Sequence, residues 1–247
     1  VLDCCFCVLR QFCHFRFTMR PDHQEIRKIR KFIDETMWGR IQHNSDSTKY
    51  GVRKSLFYYE PELMPEGTYS DSIRFSGWEA WSKENADDLG RSYNYPHVAA
   101  AHWVMYHLGR NRGIEGIDWN ESLENAYHTA IAMMKFAPYY AQFGQMEGSV
   151  FLYILLDLQR KGFTEMAVTL EAEMKKRADH WRSLNYPFGS EMPWDSTGQE
   201  EVYMWTSYFG YADKADVTLN AILAYMPALP HWGYNGSARR YWDFVYG

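Results

Sequence analysis

From residue 23 onward the apolar residues recur at helical spacing, and the connections between the helical segments alternate between long and short. Ile26, Ile29, Phe32, Ile33 and Met37 mark one face of an amphipathic helix over 23–42. The same period predicts helices over 97–110, 120–136, 146–161, 164–184, 199–210, 212–226 and 236–246. Pro138, Gly162, Gly210 and Pro227 punctuate their ends. The links over 44–96, 137–145, 185–198 and 227–235 are long, whereas 161–163 and 210–212 are tight and 111–119 is the looser exception. Stacked helical hairpins produce this alternation, so an all-α fold is expected with its long links gathered at one end. Only Lys54–Tyr59 has strand character, and a short β-hairpin within 50–75 is the one departure expected.

A chain of 247 residues without a Pro/Gly/Ser-rich linker fits one large domain. Its net charge of −5, with both signs interspersed, lacks the basic surface that a nucleic-acid partner requires. No apolar run is long enough to span a membrane. All four cysteines fall at Cys4, Cys5, Cys7 and Cys13, so no disulfide framework holds the body. Their spacing lacks the paired pattern of a zinc module, and no metal or other cofactor is called for. Residues 1–18 are expected to lie outside the fold. They also lack a signal peptide's basic start, and Arg10 and Arg16 interrupt the apolar stretch. Secretion is expected only of a longer parent protein.

Chemistry concentrates in the long links. Residues 188–203 carry Glu191, Asp195, Glu200 and Glu201 beside Trp194, and Gly189, Pro193 and Gly198 prevent one continuous helix there. The first link holds Trp78, Trp81, Arg91, Tyr93, Asn94, Tyr95 and His97. The second holds Tyr139, Tyr140, Gln145 and Glu147, and the fourth holds His231, Trp232, Tyr234 and Asn235. Rings stack on sugars while carboxyls move protons, so this composition suits a saccharide cleft at a common rim. His97, His102 and His107 are five apart, about 140° around a helix, and share no face. Satisfied packing is the expected fate of His102 and His107, and the charged run over 171–182 reads as a solvated helix face.

GRSYNYPHVAAAHW (90–103), YYAQFGQMEGSVF (139–151), PFGSEMPWDSTGQEEVY (187–203) and LPHWGYNGSARRYWDF (229–244) resemble a family of microbial and fungal proteins grouped with the six-hairpin glycosidases. The resemblance implies an (α/α)6 toroid whose funnel mouth is lined by the long links, with an oligo- or polysaccharide substrate. About eight helices are readable, so the expectation for 19–247 is a partial, truncated toroid.

Glycoside hydrolysis needs a proton donor at the leaving oxygen and a second carboxylate as base or nucleophile. Glu191 is the acid candidate, because Phe188, Met192 and Trp194 would desolvate it. Asp195 is the nearest second acid, although it also suits a helix cap. Glu147, placed by the periodicity in the first turn of its helix, comes from a separate link and would oppose Glu191, which favours an inverting geometry. Thr197 and Glu200 spell a capping box, and Glu201 suits the positive end of the helix dipole. Trp78, Trp81, Trp194, Trp232 and Tyr234 are stacking candidates; Asn94, Tyr95, His97, Gln145, Glu200, His231 and Asn235 are candidate partners for hydroxyls. Two other classes fit the same residues: a polysaccharide lyase working through Tyr93 and Arg91, and a binder without catalysis.

Overall fold

A computed structural model describes residues 22–70, 72, 81–187 and 198–228, the last four without their side chains. The fold is all-α, with nine α-helices and no sheet among the described residues. Asp22 opens α1 (His23–Phe32) by accepting hydrogen bonds from the amides of Gln24 and Glu25 at 2.8 and 3.0 Å. The expected 23–42 helix is shorter than its periodicity suggests. After Phe32 it widens into a π turn, Ile33–Met37, closed by Trp38 N–H to Ile33 O at 2.8 Å. Beyond it the backbone turns back, and His43 and Arg53 donate to Gly51 O and Ile41 O, both at 2.9 Å. The expected hairpin within 50–75 does not form among the described residues. Isolated bridges, Trp38 with Gln42 and Gln42 with Val52, stand in its place.

Three hairpins carry the core. After the short α2 (Lys83–Asp87), α3 (Tyr95–Arg112) packs along α4 (Trp119–Phe136). The short α5 (Pro138–Ala141) leads to α6 (Val150–Lys161), which turns at left-handed Gly162 into α7 (Thr164–Ser183). Then α8 (Gln199–Tyr208) pairs with α9 (Ala212–Ala228), which runs through Pro227 rather than stopping before it. Asp118 caps α4 through the amides of Asn120 and Glu121. Helix α3 is buried on every side, as befits a central helix touching both α4 and α6. On α7 the stripe Ala167, Leu170, Met174, Ala178 and Trp181 faces the core, and the indoles of Trp181 and Trp205 are fully enclosed. Burying each such ring contributes on the order of 2–3 kcal/mol.

The alternation of links has its expected consequence. The looser link 113–118 closes α3/α4 and tight turns close α6/α7 and α8/α9, so the N-termini of α3, α6 and α8 lie at a common end. There the 3-10 turn Ser92–Asn94 packs on α5, and the rings of Tyr93 and Tyr140 stand 5.7 Å apart. Gly144 meets the start of α8 so closely that a β-carbon on it would lie 2.3 Å from Gly198 O.

Candidate functional site

Where the second long link meets α7 and α8, the junction is built of buried polar groups. The side chain of Arg177, on α7, forms a double ion pair with Glu201, on α8, with Nη2 2.8 Å from Oε2 and Nη1 against Oε1. The same guanidinium donates to Ala141 O at 2.7 Å and Phe143 O at 2.9 Å. Glu201 Oε2 also accepts the backbone N–H of Gln145 at 2.6 Å. Gln145 Nε2 folds back onto Tyr140 O and Phe143 O, at 2.9 and 2.8 Å. Its Oε1, like that of Gln199, is buried without a hydrogen-bond partner among the described residues.

Two residues further on, Glu147 has a φ of +65°, a conformation that L side chains adopt at a cost of about 1–2 kcal/mol. It therefore precedes α6 by three residues, and the expected position inside the first helical turn is corrected. Its Oε2 lies 3.2 Å from His97 Nδ1, at the start of α3, and the two side chains are 10% and 5% exposed. A carboxylate only accepts, so Nδ1 carries the hydrogen of this contact. An imidazole and a carboxylate held together in a dry site form a unit able to accept or relay a proton.

The other sequence candidates divide clearly. Tyr95 is fully buried; desolvation raises its hydroxyl well above the usual tyrosine range, and it donates to Leu89 O at 2.9 Å. Asn94 Nδ2 is spent on Arg53 O and Lys54 O, at 2.9 and 3.1 Å. Both belong to the scaffold beneath the rim and are corrected as hydroxyl ligands. Glu200 is exposed, and the residue capping α8 is left-handed Gly198 rather than a hydroxyl. Gln145 and His97 sit at the junction as described. Trp78, Glu191, Trp194, Asp195, His231, Trp232, Tyr234 and Asn235 lie outside the described residues.

His102 and His107 are satisfied packing, as expected. His102 Nε2 donates to Gln42 Oε1 at 2.8 Å, and His107 Nε2 lies 3.3 Å from Asp157 Oδ2. The charged run over 171–182 is not uniformly solvated: Arg177 faces inward with Met174, Ala178 and Trp181. Its register with Leu170, Met174 and Trp181, at steps of three and four, was the available sign that it is a buried cation seeking an acid.

Among the described residues no group of three or more His, Cys, Asp or Glu is placed to hold a metal ion. No described helix is long and apolar enough to cross a membrane. No curated protein and no solved structure matches this chain. A family model does match, over residues 13–247, and the chain therefore belongs to DUF5695, a family of unknown function.

Proposed function

We propose that this protein is carbohydrate-active and hydrolyses a glycosidic bond by carboxylate acid/base chemistry, on a partial (α/α)6 toroid of helical hairpins. The observation that carries the reading is the meeting of the first and second long links at the His97–Glu147 contact. It supports a reading in which a carboxylate remote in sequence from Glu191 stands at a rim that also bears Tyr93, Tyr139 and Tyr140. Glu147 takes the proton-accepting part. The proton-donating part is assigned to Glu191 on sequence alone, since Met192 and Trp194 beside it in the chain are of the apolar kind that favours a neutral carboxyl.

The test is a glycan panel with anomer-resolved products, run on the longest available form of the protein. Glu147→Gln and Glu191→Gln are each expected to lower turnover about 10²-fold or more while leaving the circular dichroism unchanged. Full turnover in both variants would remove the assignment. A polysaccharide lyase is the second reading, favoured by the guanidinium of Arg91 lying 5.9 Å over the Tyr93 ring at the same rim. An unsaturated, ultraviolet-absorbing product would select it.

A further inference from the structure

We propose that Arg177 and Glu201 are positioning residues, whose buried ion pair holds the 141–148 link so that Glu147 reaches His97. The link is gripped almost residue by residue. Ala141 O and Phe143 O accept from Arg177, and Gln142 O between them accepts from Trp181 Nε1 at 2.7 Å. Gln145 N–H is fixed on Glu201. Gly148 completes the grip, since a β-carbon there would lie 2.2 Å from Glu201 Cδ; the carboxylate occupies the space a side chain would need. Glu147 is left between two anchored residues, and its left-handed φ is the conformation that closes the gap while turning its carboxylate to His97.

A buried ion pair is a poor way to gain stability, because apolar side chains of similar volume often serve as well. What it supplies here is direction. The planar guanidinium reads two carbonyls and two carboxylate oxygens at once, and the carboxylate reads one amide. An apolar pair would fill the space between α7 and α8 but hold no link backbone. Arg177 and Glu201 thus act on the site through Gln145 and Gly148, without touching what binds there. The catalytic consequence rests on the glycosidase reading above; the geometric claim does not.

The first measurement uses the unaltered protein. The Gln145 amide, buried and bound to a carboxylate, is expected to exchange its hydrogen at least about 100-fold more slowly than that of exposed Tyr139. Exchange at a rate similar to Tyr139 overturns the proposal. The second compares the imidazole nitrogen resonances of His97 in the unaltered protein, in Glu147→Gln, and in the double variant Arg177→Met with Glu201→Leu. The double variant is expected to shift them to the Glu147→Gln positions. A folded double variant that keeps the original resonances overturns the proposal, and if that variant does not fold the exchange measurement decides. On a glycan that is turned over, the double variant is expected to lower kcat about 100-fold with KM retained. A fall in kcat for Glu147→Gln but not for the double variant sinks the positioning role and leaves the glycosidase reading standing. No turnover of any glycan sinks the glycosidase reading, and the His97 resonances still decide the positioning.

Discussion

His102 shows what a single buried residue does to this fold. Its imidazole is enclosed among α3, α4 and the 38–53 turn, and Nε2 donates to Gln42 Oε1. Gln42 Nε2 passes the chain to Thr129 Oγ1 at 2.7 Å, and the Thr129 hydroxyl passes it to Asn125 O, also at 2.7 Å. Desolvation pushes the imidazole down to about 3 from an ordinary 6.5. Burial lowers His43 and His128 as well, assisted by the charges of Arg53 and Lys49 respectively. Between these two values the unfolded chain binds a proton that the folded chain refuses, so stability rises with pH. The contribution of His102 is complete above about pH 6.5 and is lost as pH falls towards 3, at about 1.4 kcal/mol per pH unit. Urea denaturation at pH 7 and pH 5 is expected to show His102→Gln losing about 2 kcal/mol less than the unaltered protein. An equal loss in both proteins would show that His102 does not set the acid limit.

At the scale of helices, the parallel pair α3 and α6 is joined by one buried acid. Asp157 on α6 accepts from Trp103 Nε1 on α3 at 2.9 Å, meets His107 of α3, and pairs with Arg160 one turn along its own helix. The ring of Trp103 also stacks on Tyr153, with centroids 5.5 Å apart. Burial opposes ionisation of Asp157, but the contacts of His107 and Trp103 and the Arg160 charge outweigh it, leaving the carboxyl below its usual range. Asp157→Ala removes the acceptor of the indole N–H and is expected to cost about 2–3 kcal/mol, against about 1 kcal/mol for Trp103→Phe. The double variant is expected to cost less than the sum by at least about 0.5 kcal/mol in urea denaturation, and strict additivity would show that the two helices are not coupled here. These helices were legible in the sequence because apolar residues at steps of three and four and a terminal Gly162 point the same way. The exceptions had local causes that periodicity does not record. A π turn inserts one residue into the first helix, and left-handed backbone at Glu147 delays the start of α6. Arg177 was hidden differently, as a charge among charges whose partner lies on another helix.

For the molecule as a whole, link lengths carried more information than any motif. Alternate long and short connections fix which helix ends meet, and the ends of three long links do meet, through His97–Glu147 and Gln145–Glu201. The identity of the clamping pair was not legible, because Glu201 and Glu200 are adjacent identical side chains, and only the turn of α8 sends one inward and the other to solvent. Length alone also does not separate a held link from a loose one. In the first link Phe57 and Leu63 are 67% and 68% exposed. The backbone there leans on isolated bonds, such as Tyr59 N–H to Trp81 O at 2.7 Å and Lys83 N–H to Glu60 at 2.9 Å. In the second link Tyr139 is 65% exposed, yet the residues after it are fastened to α7 and α8 by buried groups. A protease binds its substrate as extended backbone, so what matters is whether the chain around the side chain can leave the surface. Brief digestion with chymotrypsin is therefore expected to cut after Phe57, Tyr58 or Leu63 well before Tyr139 or Tyr140, as read by mass spectrometry of the first fragments. First cleavage at 139–140 would mean that the clamp of Arg177 and Glu201 does not hold the link in solution, and that the rim it builds is not a fixed feature of the fold.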